Sequence, residues 1–258
     1  SKHFIPSITL LCNRQDTTPM TDITIATHNG NFHADDVFSV AALKTIFSSF
    51  NLDRTRDLEV IKQADIVLDV GGIYDADAGR FDHHQRGGAG ERENGIPYSS
   101  FGLIWKKYGV EICGGNKEVV HSVDPGREGV SKGISLSQTI SMFNPTWQEE
   151  SDYDACFEEA VSFASRVLTR FIAAATGGIS AKEIVAKAIE KAEDPRLIVL
   201  EQYTPWKTTV HRLSEEALYV VYPSDTGEWR IQTVPVELGS FEDRKSLPSP
   251  WAGLAGKE

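Results

Sequence analysis

The chain has 258 residues, of which 40% are hydrophobic, and a formal charge of -11 at neutral pH. That length and apolar content can bury a sizeable core, as one large domain or as two lobes, and no apolar run is long enough to cross a bilayer. The acidic balance excludes a broadly basic surface that coats nucleic acid, so a phosphate-rich ligand must be held by local cations and bound metals.

Residues 1–20 read as an amino-terminal extension, with an apolar patch at Leu10, Leu11 and Cys12 too short and interrupted for a secretory signal, and with Met20 three residues before the first strand. Ile23 to Thr27 is a short β-branched run that leads into His28 and the turn signal Asn29-Gly30. From Ala34 to Phe50, Val37, Val40, Ala41, Leu43, Ile46 and Phe47 fall on a helical period, with Asp35 and Asp36 in the first turn. Ile66 to Val70 is a second buried-strand pattern, closed by Gly71-Gly72. The strand, helix, strand order predicts a parallel α/β sheet with helices on both faces, whose ligands collect at the carboxyl ends of the strands.

A smaller mixed α+β lobe is expected over residues 146–258, with residues 21–145 forming the sheet domain and the boundary near Asn144-Pro145. Ser151 to Ala175 carries an amphipathic helical stripe of Phe157, Val161, Ala164, Leu168 and Phe171 or Ile172, core-facing by its spacing and ended by Gly177-Gly178. Ser180 to Glu193 reads as another helix. Leu197 to Glu201, Ala217 to Tyr222 and Trp229 to Val236 read as three strands.

Four clusters of potential ligands stand out along the first domain. They are His28 with His33, Asp35 and Asp36; Asp69; Asp82-His83-His84; and His121 with Asp124. Taken singly, each has an ordinary use. Asp35 and Asp36 complement the positive end of a helix dipole, Asp69 caps a strand-to-loop transition, and a lone histidine decorates a turn. Together, at successive strand ends, they predict a two-metal hydrolytic site, because imidazole with carboxylate suits Mn, Fe, Zn or Co and grouped carboxylates need cations between them. Asp82 is then expected to orient an imidazole from outside the ligand set.

The segments Thr27-His28-Asn29-Gly30-Asn31-Phe32-His33-Ala34-Asp35, Val67-Leu68-Asp69-Val70-Gly71-Gly72 and Phe81-Asp82-His83-His84-Gln85-Arg86 resemble the metal motifs of the DHH phosphoesterase superfamily. More closely, the chain resembles the melanocyte-proliferating-gene family of DHH-like metal-dependent hydrolases, whose eukaryotic members are described as RNA exonucleases acting from the 3′ end. Phe143-Asn144-Pro145-Thr146-Trp147, Gly227-Glu228-Trp229-Arg230-Ile231-Gln232 and Ser246-Leu247-Pro248-Ser249-Pro250-Trp251 extend the resemblance to nearly the whole chain after Met20. Two places depart from the pattern. His33 and Asp35 stand where the superfamily has two aspartates, and Asp124-Pro125-Gly126-Arg127 stands where the closer family has a second aspartate before Asn-Gly.

The resemblance implies two divalent ions, Mn first with Mg, Co or Zn as alternatives. They would be held by His28, His33 and Asp35, bridged by Asp69 and completed by His83 and Asp124, with Asp36 outside the ligand set. It further implies that His84 contacts the scissile phosphate or protonates the leaving oxygen. Arg86 on its glycine-rich loop, Arg127, and Lys207, Arg230, Arg244 and Lys245 in the second lobe are the candidate phosphate contacts, with Trp206 and Trp229 beside two of them as stacking candidates. The expected activity is 3′-to-5′ exonucleolysis of single-stranded RNA. The alternatives are hydrolysis of a small phosphoanhydride or dinucleotide, and a non-catalytic metal-stabilised binding module. Cys12, Cys113 and Cys156, odd in number and without a Cys-x-x-Cys spacing, predict an intracellular setting, cytoplasmic in a bacterium and nuclear or mitochondrial in a eukaryote.

Overall fold

Thr24–Thr27 forms β1, whose Thr24, Ile25 and Thr27 suit a pleated backbone and whose last three residues are buried. Parallel neighbours flank it on both sides, β2 (Asn51–Arg54) and β3 (Ile66–Leu68). β5 (Arg80–Phe81) continues in parallel beside β3, and the antiparallel β4 (Tyr74–Asp75) closes the edge, giving the order β2-β1-β3-β5-β4. β1 and β3 are interior strands, which is why they read as continuous apolar runs. The edge strand β2 is polar and half exposed, so periodicity alone did not disclose it. A computed structural model describes residues 23–124, 135–150, 152–224 and 227–251. The expected extension over residues 1–20 and the candidate Arg127 lie outside them.

Helix α1 spans Ala34–Leu43 and stops short of the expected Phe50. The sheet sets that limit. Asn51 must return beside the start of β1, where its N–H donates to the Ile23 carbonyl at 2.8 Å, and Thr45 turns the chain by donating its hydroxyl to the Ala42 carbonyl at 2.7 Å. Every α1 residue from Asp36 to Leu43 is buried, so the helix is enclosed on all sides. The short α2 (Leu58–Gln63) is capped by Asp57 through the Glu59 N–H, and α3 (Ser100–Ile112), α4 (Lys117–Val123) and α5 (Leu136–Ser141) follow.

Helix α6 runs from Tyr153 to Glu190 without interruption, so the break expected at Gly177-Gly178 and the separate helix over Ser180 to Glu193 are corrected to one helix. A glycine inside a helix costs about 1 kcal/mol relative to alanine, which long flanking segments absorb. Buried residues anchor both ends, Phe157, Ala160, Val161, Ala164 and Leu168 on one side and Ala181 and Val185 on the other. Of the two alternatives for the last position of the stripe, Phe171 is 54% exposed and Ile172 is half-buried.

The second sheet comprises β6 (Leu197–Val199), β7 (Tyr219–Pro223) and β8 (Trp229–Thr233) in that order, β6 parallel and β8 antiparallel to β7, with α7 (Lys207–Leu213) between β6 and β7 and a 3-10 turn at Ser249–Trp251. Its core gathers Val185, Ile198, Leu200, Trp206, Val210, Ala217, Val220, Tyr222 and Val234. The chain divides into two compact units, one of residues up to Lys107 with residues 130–164, the other of residues 108–129 with Ser165 onward. The partition alternates along the chain, whereas the sequence reading placed one boundary near Asn144-Pro145. No described helix is long and apolar enough to cross a membrane.

Candidate metal centre

The first unit brings three of the four clusters together at the carboxyl ends of β1, β3 and β5. His28 directly follows β1, is 2% exposed, and points Nε2 to 3.3 Å from Asp36 Oδ2 and 3.5 Å from Asp69 Oδ2. His33 is the N-cap of α1, and Asp36 in the next turn accepts the His33 N–H through Oδ1 at 2.8 Å. The Val37 N–H also donates to that oxygen at 3.0 Å. Asp36 Oδ2 is buried with no hydrogen-bond partner.

Asp69, directly after β3, is the only non-glycine among the described residues with a positive φ, 53°. That conformation costs of order 1 kcal/mol and is held by the surroundings. The Ser100 hydroxyl at the start of α3 donates to Asp69 Oδ1 at 2.9 Å, and the Asp69 N–H donates to the Phe81 carbonyl of β5 at 3.2 Å. From the loop after β5, His83 Nε2 reaches 3.2 Å from Asp69 Oδ1 and 3.9 Å from Asp35 Oδ2.

Asp82 is buried and fully occupied in shaping that loop. Its Oδ1 accepts the His83 and His84 N–H groups at 2.7 and 3.1 Å and lies 2.7 Å from His84 Nδ1, while Oδ2 accepts the Gly72 N–H at 2.6 Å. A carboxylate only accepts, so the proton of this contact sits on Nδ1 and Nε2 of the exposed His84 is left as the outward nitrogen.

One atom each from His28, His33, Asp36 and Asp69 lies within 4.8 Å of the others, and a second such group comprises Asp69, His83 and His84. Asp69 belongs to both. Mixed imidazole and carboxylate donors around a buried oxygen that no hydrogen bond satisfies fit a divalent ion. Asp36, expected outside the ligand set, thus lies inside the first group, because its helical position turns Oδ2 toward His28. Asp35 lies beside His83. Asp124 is the C-cap of α4, belongs to the second unit, and is in neither group.

The charges reflect this crowding. Burial pushes the Asp36 carboxyl up to about 6, against the pull of His28 and of the His33 N–H. For His28 burial disfavours the cation, yet the Asp69 and Asp36 carboxylates outweigh it and hold its pKa above the ordinary imidazole value. Burial works to raise Asp69 as well, but His28, Ser100 and His84 together hold it below the usual carboxylate range.

Three supporting residues escaped the sequence reading as parts of the site. Ser100 orients Asp69. Asn144 clamps the loop before α1, accepting the Phe32 N–H at 3.0 Å and donating to the Phe32 carbonyl at 2.9 Å. Arg54, 4% exposed at its side chain, donates to the Gly30 carbonyl at 2.6 Å and to Asp154 at 2.7 Å, with its guanidinium 4.5 Å from the Phe157 ring centroid. Only contacts distant in sequence define these roles, so local pattern carries no signal for them.

Among the candidate phosphate contacts, Arg86 is exposed on the loop after His84, and Lys245 is exposed in the second unit. Arg244 is committed elsewhere, its Nη1 donating to the carbonyls of Ser214, Glu215 and Ala217 at 2.7, 3.1 and 3.0 Å. Trp206 is core at 2% exposure and Trp229 is exposed. Lys207 and Arg230 line one cleft of the second unit.

The fold and the site define an α/β protein with a His/Asp cluster that could hold a metal ion. The chain matches the family model described as "Uncharacterised protein family (UPF0160)", labelled MYG1_exonuc, over residues 24–124 and 118–258, and belongs to that family. Similar proteins include MYG1 protein YER156C of Saccharomyces cerevisiae, 31% identical over 91% of this chain and 84% of that protein. MYG1 protein C27H6.8 of Caenorhabditis elegans is 32% identical over 89% and 83%. The MYG1 exonuclease of Homo sapiens is 31% identical over 89% and 74%. No solved structure matches the chain.

Proposed function

We propose that this protein is a metal-dependent exonuclease that shortens single-stranded RNA from its 3′ end, using two divalent ions, Mn foremost. The observation that carries the reading is Asp69, a buried carboxylate shared by two donor groups, one of which also contains Asp36 Oδ2, buried without a hydrogen bond. Relatives named MYG1 exonuclease support the nuclease class.

In this reading His28, His33, Asp36 and Asp69 would hold one ion, and Asp69 with His83 and Asp35 would hold the other. Bound divalent ions lower the pKa of water and neutralise charge developing on phosphoryl oxygens. Ser100 fixes the Asp69 carboxylate, which keeps the shared position constant while substrate enters. Asp82 holds the His84 Nδ1 proton, so Nε2 faces the phosphate and, when protonated, donates to the leaving oxygen. Arg86 contributes a cation on the same loop.

The test incubates metal-stripped protein with labelled RNA, DNA, a dinucleotide and pyrophosphate, each with Mn, Mg, Co or Zn. A ladder of single-nucleotide losses from RNA is expected. Turnover confined to pyrophosphate or the dinucleotide would replace the exonuclease with a small-substrate hydrolase.

A further inference from the structure

The second unit contains a cleft of about 610 Å³ whose lining includes Tyr203, Lys207, Tyr222, Ser224, Arg230 and Gln232 and, among the described residues, no carboxylate. In a chain of net charge -11, two cations facing one space without an acid among its described lining residues run against the average of the surface. Neither Lys207 nor Arg230 forms an ion pair with a described carboxylate.

The register explains how the cleft arises. β8 is an edge strand on which Arg230 stands opposite Tyr222 and Gln232 opposite Val220. Partners across a pair share a face, so Arg230 and Gln232 lie on the side where Val220 and Tyr222 enter the core. At the edge that side is uncovered, and β8 presents a guanidinium and an amide there instead of apolar groups. Lys207 enters from the first residue of α7. Tyr203 is 58% exposed, and its ring forms a T-shaped pair with that of Tyr222, 5.5 Å between centroids.

We propose that this cleft binds one nucleotide of a single strand, the base stacked on the open face of Tyr203 and the flanking phosphates on Lys207 and Arg230. Gln232 and Ser224 supply neutral hydrogen-bonding groups for sugar or base edges. An aromatic platform beside cations with no described acid partner is what a single strand requires, because every base offers a π-face and every linkage a charge. The assignment names a substrate subsite and rests on the exonuclease reading for its purpose, though its binding is measurable without catalysis.

The experiment measures fluorescence anisotropy of a labelled ten-nucleotide oligoadenylate with the full chain, chelator present so that the strand is not consumed. Tyr203→Ala should weaken binding about five-fold or more, the scale of one lost stacking contact. Lys207→Ala and Arg230→Ala should each weaken it and flatten the slope of log affinity against log salt by about 0.7. Tyr203→Phe and Arg230→Lys should retain most of the affinity, and Lys191→Ala, away from the cleft, all of it. Unchanged binding in the three alanine variants overturns the assignment. So does an equal fall in Lys191→Ala, or an equal effect on poly-glutamate, either of which marks a general anion surface. The exonuclease reading fails separately, through absence of metal-dependent RNA turnover in the unaltered protein.

Discussion

At the scale of residues, the site is an arrangement of protonation states as much as of distances. A metal ion bound here would have to displace the proton from His28, whose pKa is held above the ordinary imidazole value, and from Asp36, whose carboxyl is pushed up to about 6. Both pKa values are raised, so protons compete with the ion at higher pH than they would on free side chains. Apparent metal affinity should therefore fall steeply as pH is lowered through about 6 and level off above the titration of His28. Asp36→Asn should weaken binding and make that fall shallower, because one of the competing groups no longer titrates. Calorimetric titration with Mn across this range checks it, and an unchanged pH profile in Asp36→Asn would show that this carboxyl takes no part.

At the scale of elements, glycine means different things in different places. Gly177 and Gly178 lie inside α6 with no positive φ, and an added Cβ meets nothing within 4 Å at either. Gly177→Ala and Gly178→Ala should each stabilise the protein by about 0.8–1 kcal/mol, visible as a raised denaturant midpoint. Gly79, by contrast, has φ of 70° and approaches the Asp65 backbone so closely that a side chain would collide with it. Its carbonyl accepts the Val67 N–H at 2.8 Å, docking β5 against β3 and so placing Asp82-His83-His84 beside Asp69. Gly79→Ala should destabilise the fold, where the two helical substitutions stabilise it. A fall in midpoint for the helical pair would mean that α6 needs its glycines.

At the scale of the whole molecule, metal binding and folding should be linked. Candidate ligands just after β1 and β3, at the start of α1 and in the loop after β5 converge only in the folded first unit, so an ion that binds there would stabilise the native chain by mass action, about 2.7 kcal/mol at a hundred-fold excess over Kd. Scanning calorimetry should show Mn raising the melting temperature of the unaltered protein. The same addition should move Asp69→Asn much less, since that substitution removes the charge common to both donor groups. An equal shift in both proteins would place the binding elsewhere.

The clusters of candidate ligands, the interior strands and the second-lobe strands were legible in sequence because each is local. A buried strand is a short apolar run, and a ligand at its end is the next polar residue. His28, Asp69 and Asp82-His83-His84 follow β1, β3 and β5 in just this way. Tertiary structure decided what depends on pairing or on distant partners. It ended α1 at Leu43 so that Asn51 could meet β1, and carried α6 through two glycines because buried residues anchor both its ends. It turned Asp36 inward, supplied Ser100, Asn144 and Arg54 from far along the chain, and separated Arg244, bound to three carbonyls, from Lys207 and Arg230, which share a cleft. Residue type fixes which atoms can donate or ligate. Only the packed backbone fixes which of them face one another.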